Sequence, residues 1–363
     1  MIAGYYSPMP PARTGVADYS AALVAALRAK GEVRVNRDGD VNLYHLGNNP
    51  LHRPMYERAL EKPGVVVIHD AVLHHYLLGT LGRDAYIREF TYNYGDWLAE
   101  LAANLWDRRA RSGIDPDYFR YPMLKRALEG ALAVVVHNRA AARIAADHGA
   151  THIIEIPHLF APPPLPAPYE IIRLREHYGV GARQFLFGVF GHLRESKRLT
   201  SVLRAFENVI SSGCDALLLV AGEFSSPDLA RALEPLLHRD RIVRVGYMSD
   251  EDFWRHALAI DACVNLRYPQ AGETSGIAIR MMGIGKPVLF TAGDETASFP
   301  EAACLRVDQG PGEVEMLSDY MRWLVSSPQD ARAIGSRAAG HIALHHAPAT
   351  VAAEFWNVLE GVR

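Results

Sequence analysis

Residues 268–290 read YPQAGETSGIAIRMMGIGKPVLF. Between Gly272 and Gly276 the chain is small and polar and holds one carboxylate, Glu273. Residues 277–284 are apolar at helical spacing. Gly285, Lys286 and Pro287 stop that helix, and Val288, Leu289 and Phe290 read as a buried strand. Just upstream, ACVNL at 262–266 is another short apolar run. Strand, polar loop, helix and strand form the repeating unit of a parallel sheet covered on both faces.

The unit recurs along the chain. VVVI at 65–68, AVVVH at 133–137 and HIIEIP at 152–157 are strand candidates in the first half. FLFGVFG at 185–191, ALLLVAG at 216–222 and IVRVGY at 242–247 follow in the second, with amphipathic segments at 201–211, 228–238 and 250–259. One composition break divides the series. FAPPPLPAPYE at 160–170 is too rich in proline for a helix or a central strand and reads as a stiff linker. The expected organisation is a first domain at 1–160, a linker at 161–170 and a second domain at 171–346. A helical region around 84–112 carries Tyr, Trp and Phe beside Arg108, Arg109 and Arg111 and reads as a packed helix pair, with a lipid-facing surface as the minor alternative.

Composition narrows the function. With 363 residues and 49% hydrophobic content, two cores are affordable and disorder is not expected. A formal net charge of −3 argues against nucleic acid as a bulk partner. Cys214, Cys263 and Cys304 are scattered, with neither metal spacing nor a disulfide framework, so a cytoplasmic setting is expected. The start, MIAGYYSPMPP, lacks the basic and apolar regions of a signal peptide. No apolar run reaches ~18 residues, so no spanning helix is expected, and peripheral contact at the inner membrane face stays open. DGD at 38–40 and DPD at 115–117 suit turns better than metal sites, and no metal is expected. GVGARQ at 179–184 imitates a dinucleotide fingerprint but precedes its strand.

Chemistry gathers where strands end. Thr274 and Ser275 can cap a helix beginning near Gly276, whose free N–H groups would face a phosphate. Glu273 would repel that phosphate but suits sugar hydroxyls beside it; a plain N-terminal capping role explains Glu273 as well. FGVFGHLRESKRLTSVLRAF, 187–206, places Lys197 at a second loop–helix junction, where its ammonium can meet a phosphate.

Here the sequence resembles a family, the retaining, family-four GT-B glycosyltransferases. GHLRESKRL is similar to their Gly-Arg-Leu-x-x-x-Lys-Gly loop, with Gly191 and Lys197 kept. VAGEF at 220–224 resembles the strand end before a sugar-nucleotide contact, which brings in Glu223. GETSGIAIRMMGIGKPV resembles the signature ending in Gly-Lys-Pro-Val. In the first half, PMPPARTGVADYSAALVAAL is similar to the family's glycine loop and helix, with Gly15, Asp18 and Tyr19 on the acceptor side. VVVIHDAVLHH resembles the strand that ends in a cleft-facing pair, here His69 and Asp70. LYHLGNNPLHRPMY at 43–56 is typical of the branch that uses Gly-Glu-Thr-Ser-Gly.

The resemblance implies a GT-B fold, α/β, with two Rossmann-like parallel-sheet domains facing a central cleft and a C-terminal helix (347–363) packed back on the first domain. It implies a metal-independent hexosyltransferase without cofactor, using a GDP- or UDP-linked sugar and a glycan, lipid-linked or small-molecule acceptor. His69, Glu273 and Lys197 would be catalytic. Gly191, His192, Arg194, Glu223, Thr274, Ser275, Gly276 and Arg280 would hold the donor. There are two departures. His192 stands where the family has arginine, and Arg194 is the substitute. The Gly-Lys-Pro-Val register puts Gly272 and Arg280 where the family has two glutamates; arginine cannot accept hydrogen bonds from a ribose, which leaves that role to Glu223 or another acceptor. These departures motivate the competing expectations, a sugar-nucleotide-binding protein without turnover or a GT-B epimerase or phosphorylase.

Overall fold

The computed structural model describes residues 1–12 and 14–363. The chain forms two compact units. The first comprises Met1–Ala161, Pro269–Thr274 and His345–Arg363, the second Pro162–Tyr268 and Ser275–Leu344.

In the first unit six strands form one sheet: β1 (Ile2–Tyr6), β2 (Glu32–Val35), β3 (Val41–Leu46), β4 (Val65–Ile68), β5 (Ala133–Val136) and β6 (Ile153–Glu155). All pairs are parallel, in the order β2-β1-β3-β4-β5-β6. The strand period of two sorts the side chains. Leu43, Val65, Val67 and Val135 face a core shared with the helix Gly15–Leu27 and the helix Pro348–Gly361, through Leu23, Leu27, Val351, Phe355 and Leu359. Tyr44, Val66, Ile68 and Val134 face the other core, with Tyr86, Phe90, Leu105 and Tyr118. The aromatic region is a helix pair, Arg83–Tyr94 and Ala99–Asp107, whose Tyr86, Phe90, Ala102 and Leu105 are buried.

The second unit repeats the plan with β7 (Phe185–Phe190), β8 (Ala216–Ala221), β9 (Ile242–Val245), β10 (Ala262–Asn265), β11 (Val288–Thr291) and β12 (Leu305–Val307). The order is β12-β11-β10-β7-β8-β9, again all parallel. The chain runs outward from β7 to β9, then crosses back to β10. The direction of progress therefore reverses between β7 and β10, and the carboxyl ends of those two strands flank the place where open α/β sheets bind ligands.

The proline-rich segment departs from expectation. It stays irregular only to Ala167; Pro168, Tyr169 and Glu170 are the first turn of the helix Pro168–His177. Proline at the first helical position loses no intrahelical bond, and the Glu170 carboxylate accepts from the Ala167 N–H at 2.9 Å. No helix of the described residues is long and apolar enough to cross a membrane.

Candidate functional site

In the second unit the sequence-selected loops meet at the β7/β10 switch point. β7 ends at Phe190, and Gly191 takes φ +92°, a backbone state that favours glycine. A Cβ on Gly191 would stand 3.7 Å from Lys197 Nζ and 3.6 Å from Ile277 Cγ1, so the loop, the ammonium and the first turn of the helix Gly276–Gly283 are neighbours. Lys197 is 5% exposed and donates to the Phe190 carbonyl at 2.7 Å. That bond draws the amine in beneath the strand end. Behind it, Arg198 grips buried Glu313 through Nε and Nη2, at 3.0 and 2.8 Å from Oε1, and anchors the loop to the next layer.

Ser275 caps the helix, its Oγ accepting from the Ala278 N–H at 3.3 Å. Asn265 Nδ2 also donates to Ser275 Oγ at 3.0 Å, and Arg267 Nη2 approaches it at 3.4 Å. The helix start thus carries its own positive dipole end, with Lys197 and Arg267 close by. Asn265 and Arg267 were missed by the sequence reading. Their position one strand end away from the Gly-Glu-Thr-Ser-Gly loop is the signal that points to them.

Other selected residues are less central. His192, Arg194 and Glu223 are exposed. Arg280 pairs with Asp250 at 3.4 Å and stacks over Phe253 and Trp254, so its guanidinium is turned toward the helix Asp250–Ala259.

The first unit carries the other half of the selected set. His69 follows β4 directly; its N–H donates to the Leu46 carbonyl at 2.9 Å, and its Nε2 lies 2.9 Å from His45 Nδ1. Tyr19 sits edge-on to His69 at 5.0 Å, and His137 is 5.2 Å away. His137 donates from Nδ1 to the Ile156 carbonyl, and His52 from Nδ1 to the His45 carbonyl, so both rings carry their proton at Nδ1. Burial, followed by the neighbouring imidazoles, holds His45 and His69 well below the usual histidine range. Burial brings His137 down to about 4. His69 is therefore neutral at physiological pH, a hydrogen-bonding group rather than a cation. Among the described residues no cluster of His, Cys, Asp or Glu is disposed to hold a metal.

Asp70 accepts from the Asn48 N–H at 2.8 Å, while Gly15 and Asp18 are exposed at the head of their helix. Tyr19 is 4% exposed and packed among histidines, and its hydroxyl has no hydrogen-bond partner among the described residues. Residues 269–274 also belong to this unit. The Glu273 carboxylate turns back to accept from the Ala271 N–H at 2.7 Å. Asn138 Nδ2 donates to the Gly272 carbonyl and to Thr274 Oγ1, each at 2.9 Å.

Beside Glu273, Gly272 admits no side chain: it has φ +68°, and a Cβ there would stand 2.6 Å from the Ala71 Cβ. Gly272→Ala is expected to cost roughly 2 kcal/mol or more, from left-handed backbone strain plus overpacking. Thermal denaturation checks it; an unchanged melting temperature would mean that the loop re-forms elsewhere.

No family model matches the chain, and no curated protein matches it in sequence. Solved structures do match in shape. HepE from Anabaena, in complex with UDP-glucose, superposes with a TM-score of 0.66 at 15% identity, covering 99% of this chain and 100% of that one. WaaG, a glycosyltransferase involved in lipopolysaccharide biosynthesis, gives 0.64 at 16% identity over 99% and 100%. Sucrose-phosphate synthase from Thermosynechococcus elongatus gives 0.65 at 15% identity over 99% and 98%. At these identities the likeness speaks for the fold: two Rossmann-like parallel-sheet units, the GT-B architecture of glycosyltransferases.

Proposed function

We propose that this protein is a retaining glycosyltransferase of the family-four type, moving a hexose from a nucleotide-diphosphate sugar to a hydroxyl of a glycan, glycolipid or small molecule. One observation carries the reading: Lys197, Gly191 and the amino end of the helix Gly276–Gly283 converge at the switch point of the second unit's sheet. That constellation suits a diphosphate. Lys197 and the N–H groups at 275–277 would stabilise the charge that grows on the departing phosphate, with His192 or Arg194 at the loop's outer side. The bond between sugar C1 and the phosphate oxygen breaks, and its electron pair leaves with the diphosphate. The acceptor oxygen bonds to C1 on the same face and gives its proton to the departing phosphate. Glu273 and neutral His69 would orient sugar hydroxyls, with Thr274, Ser275 and Gly276 holding the phosphate side. Arg280 and Glu223 remain the donor-binding residues proposed for the ribose side. No resident metal or cofactor is part of the proposal, and the work is assigned to the cytoplasm, with peripheral membrane contact where the acceptor is lipid-linked.

A second reading, donor binding without turnover, draws support from Gly272 and Arg280 standing where the resembling family has glutamates. A thermal-shift panel of UDP-, GDP- and ADP-sugars, followed by an assay for released nucleoside diphosphate, separates the two. The complexes of HepE with UDP and UDP-glucose make a UDP-sugar the first donor to try. A donor at 100 times its Kd stabilises by about 2.7 kcal/mol. A shift with release upon adding acceptor supports transfer, a shift without release supports binding alone, and no shift with any nucleotide sinks both.

A further inference from the structure

We propose that Asn138 is a positioning residue for Glu273, clasping the loop on both sides of the carboxylate while capping a helix with its other amide atom. The proposal rests on the transferase reading for its consequence, though not for its geometry.

The orientation of the Asn138 amide is fixed by partners that have only one role. The Ala141 N–H can only donate, and it lies 2.9 Å from Oδ1. The Gly272 carbonyl can only accept, and it lies 2.9 Å from Nδ2. The oxygen therefore caps the helix Arg139–Asp147, and the nitrogen faces the loop. Nδ2 has a second acceptor in Thr274 Oγ1 at 2.9 Å, and that hydroxyl donates onward to the His137 carbonyl at 3.3 Å. Asn138 is 1% exposed, so these partners stand in place of water. The two anchored residues are Gly272 and Thr274; Glu273 lies between them. Gly272 brings the backbone against Ala71 and Ala141 because it has no Cβ. The carboxylate is thus borne on a loop held from three sides, the arrangement that keeps an orienting group within tolerance of its ligand.

The amide's two roles can be separated. Asn138→Asp keeps an oxygen for the Ala141 N–H and remains a good helix cap. It replaces the donor with an anionic oxygen that faces the Gly272 carbonyl. Asn138→Ala removes both roles. In hydrogen–deuterium exchange, amides at 271–274 are expected to exchange roughly 10-fold faster in both variants, while amides at 141–147 speed up in the alanine variant only. The melting temperature should fall for alanine and hold for aspartate. In steady-state assays kcat/KM for transfer is expected to drop about 100-fold in Asn138→Asp, while affinity for the free nucleoside diphosphate, held chiefly by Lys197 and the N–H groups at 275–277 rather than by Thr274, stays within roughly 2-fold. Unaltered exchange at 271–274 in the aspartate variant would overturn the proposal, as would a loss of diphosphate affinity parallel to the loss of transfer. If the wild-type protein transfers no sugar, the functional reading fails, and the exchange experiment still decides whether Asn138 holds the loop.

Discussion

Lys197→Ala is expected to lower kcat/KM for sugar transfer by roughly 100- to 1,000-fold and to weaken binding of the free nucleoside diphosphate, while leaving affinity for the uncharged nucleoside alone. The ammonium sits where the β7 loop meets the helix Gly276–Gly283, almost fully buried, and water there cannot screen it as it would on an open surface. Removing it also strands the Phe190 carbonyl, at a cost of about 1–3 kcal/mol. A melting curve beside the kinetics tells that loss from the loss of charge, and Lys197→Met, which keeps most of the stem, limits the cavity. Calorimetry with nucleoside and nucleoside diphosphate is the decisive pair. Equal diphosphate affinity in variant and wild type would remove Lys197 from the site and take the functional proposal with it.

Acidification is expected to unfold the first unit well before the second. Histidines 45, 52, 69, 74 and 137 all lie in the first unit, and all are held below the ordinary value of 6.5, chiefly by burial. His137 falls to about 4 and His74 to about 3. Above pH 6.5 these rings are neutral both folded and unfolded, and their stabilising contribution is fully present. Below 6.5 the unfolded chain takes up protons that the folded unit refuses, so stability is lost as pH falls toward the folded values. A ring that is protonated in the unfolded chain and neutral in the folded unit contributes a slope of at most about 1.4 kcal/mol per pH unit. All five rings act in the same direction. Region-resolved hydrogen exchange at pH 7, 6 and 5 checks it: β3 to β5 should lose protection while β7, β8 and β11 keep theirs. Equal protection of both sheets at pH 5 would contradict it.

The parts of the molecule that could be read from sequence are those whose cause is local. VVVI, AVVV, FLFGVF and ALLLVA are buried on both faces and carry no polar residue, so β4, β5, β7 and β8 are plain in the string. β3 is not, because VNLYHL contains Asn42 and His45, both buried. Asn42 is satisfied by Asp38 and by the Tyr44 hydroxyl, while His45 Nδ1 meets His69 Nε2 24 positions away, and no window of sequence contains that last pairing. The Lys197 loop and the capped helix at 276 were legible for the same local reason. Their meeting depends on β7 lying beside β10, a matter of strand order. Asn138 shows the limit most clearly: its cap on the next helix is a local signature, while its bonds to the Gly-Glu-Thr loop span 134 and 136 residues. The proline rule failed at Pro168 for a positional reason, since proline opens a helix as readily as it breaks one.

The first unit is assembled from three separate lengths of chain, and this sets an order of events on the ribosome. When residues 1–161 have emerged, the core that Leu23 and Leu27 share with the sheet lacks Val351, Phe355 and Leu359, which have not yet been translated. The second unit, nearly continuous, has all of its strands once residue 307 is made. The half that begins first therefore finishes last, and its greasy helix must wait through the synthesis of almost 200 intervening residues, the interval in which a nascent chain is most in need of a chaperone.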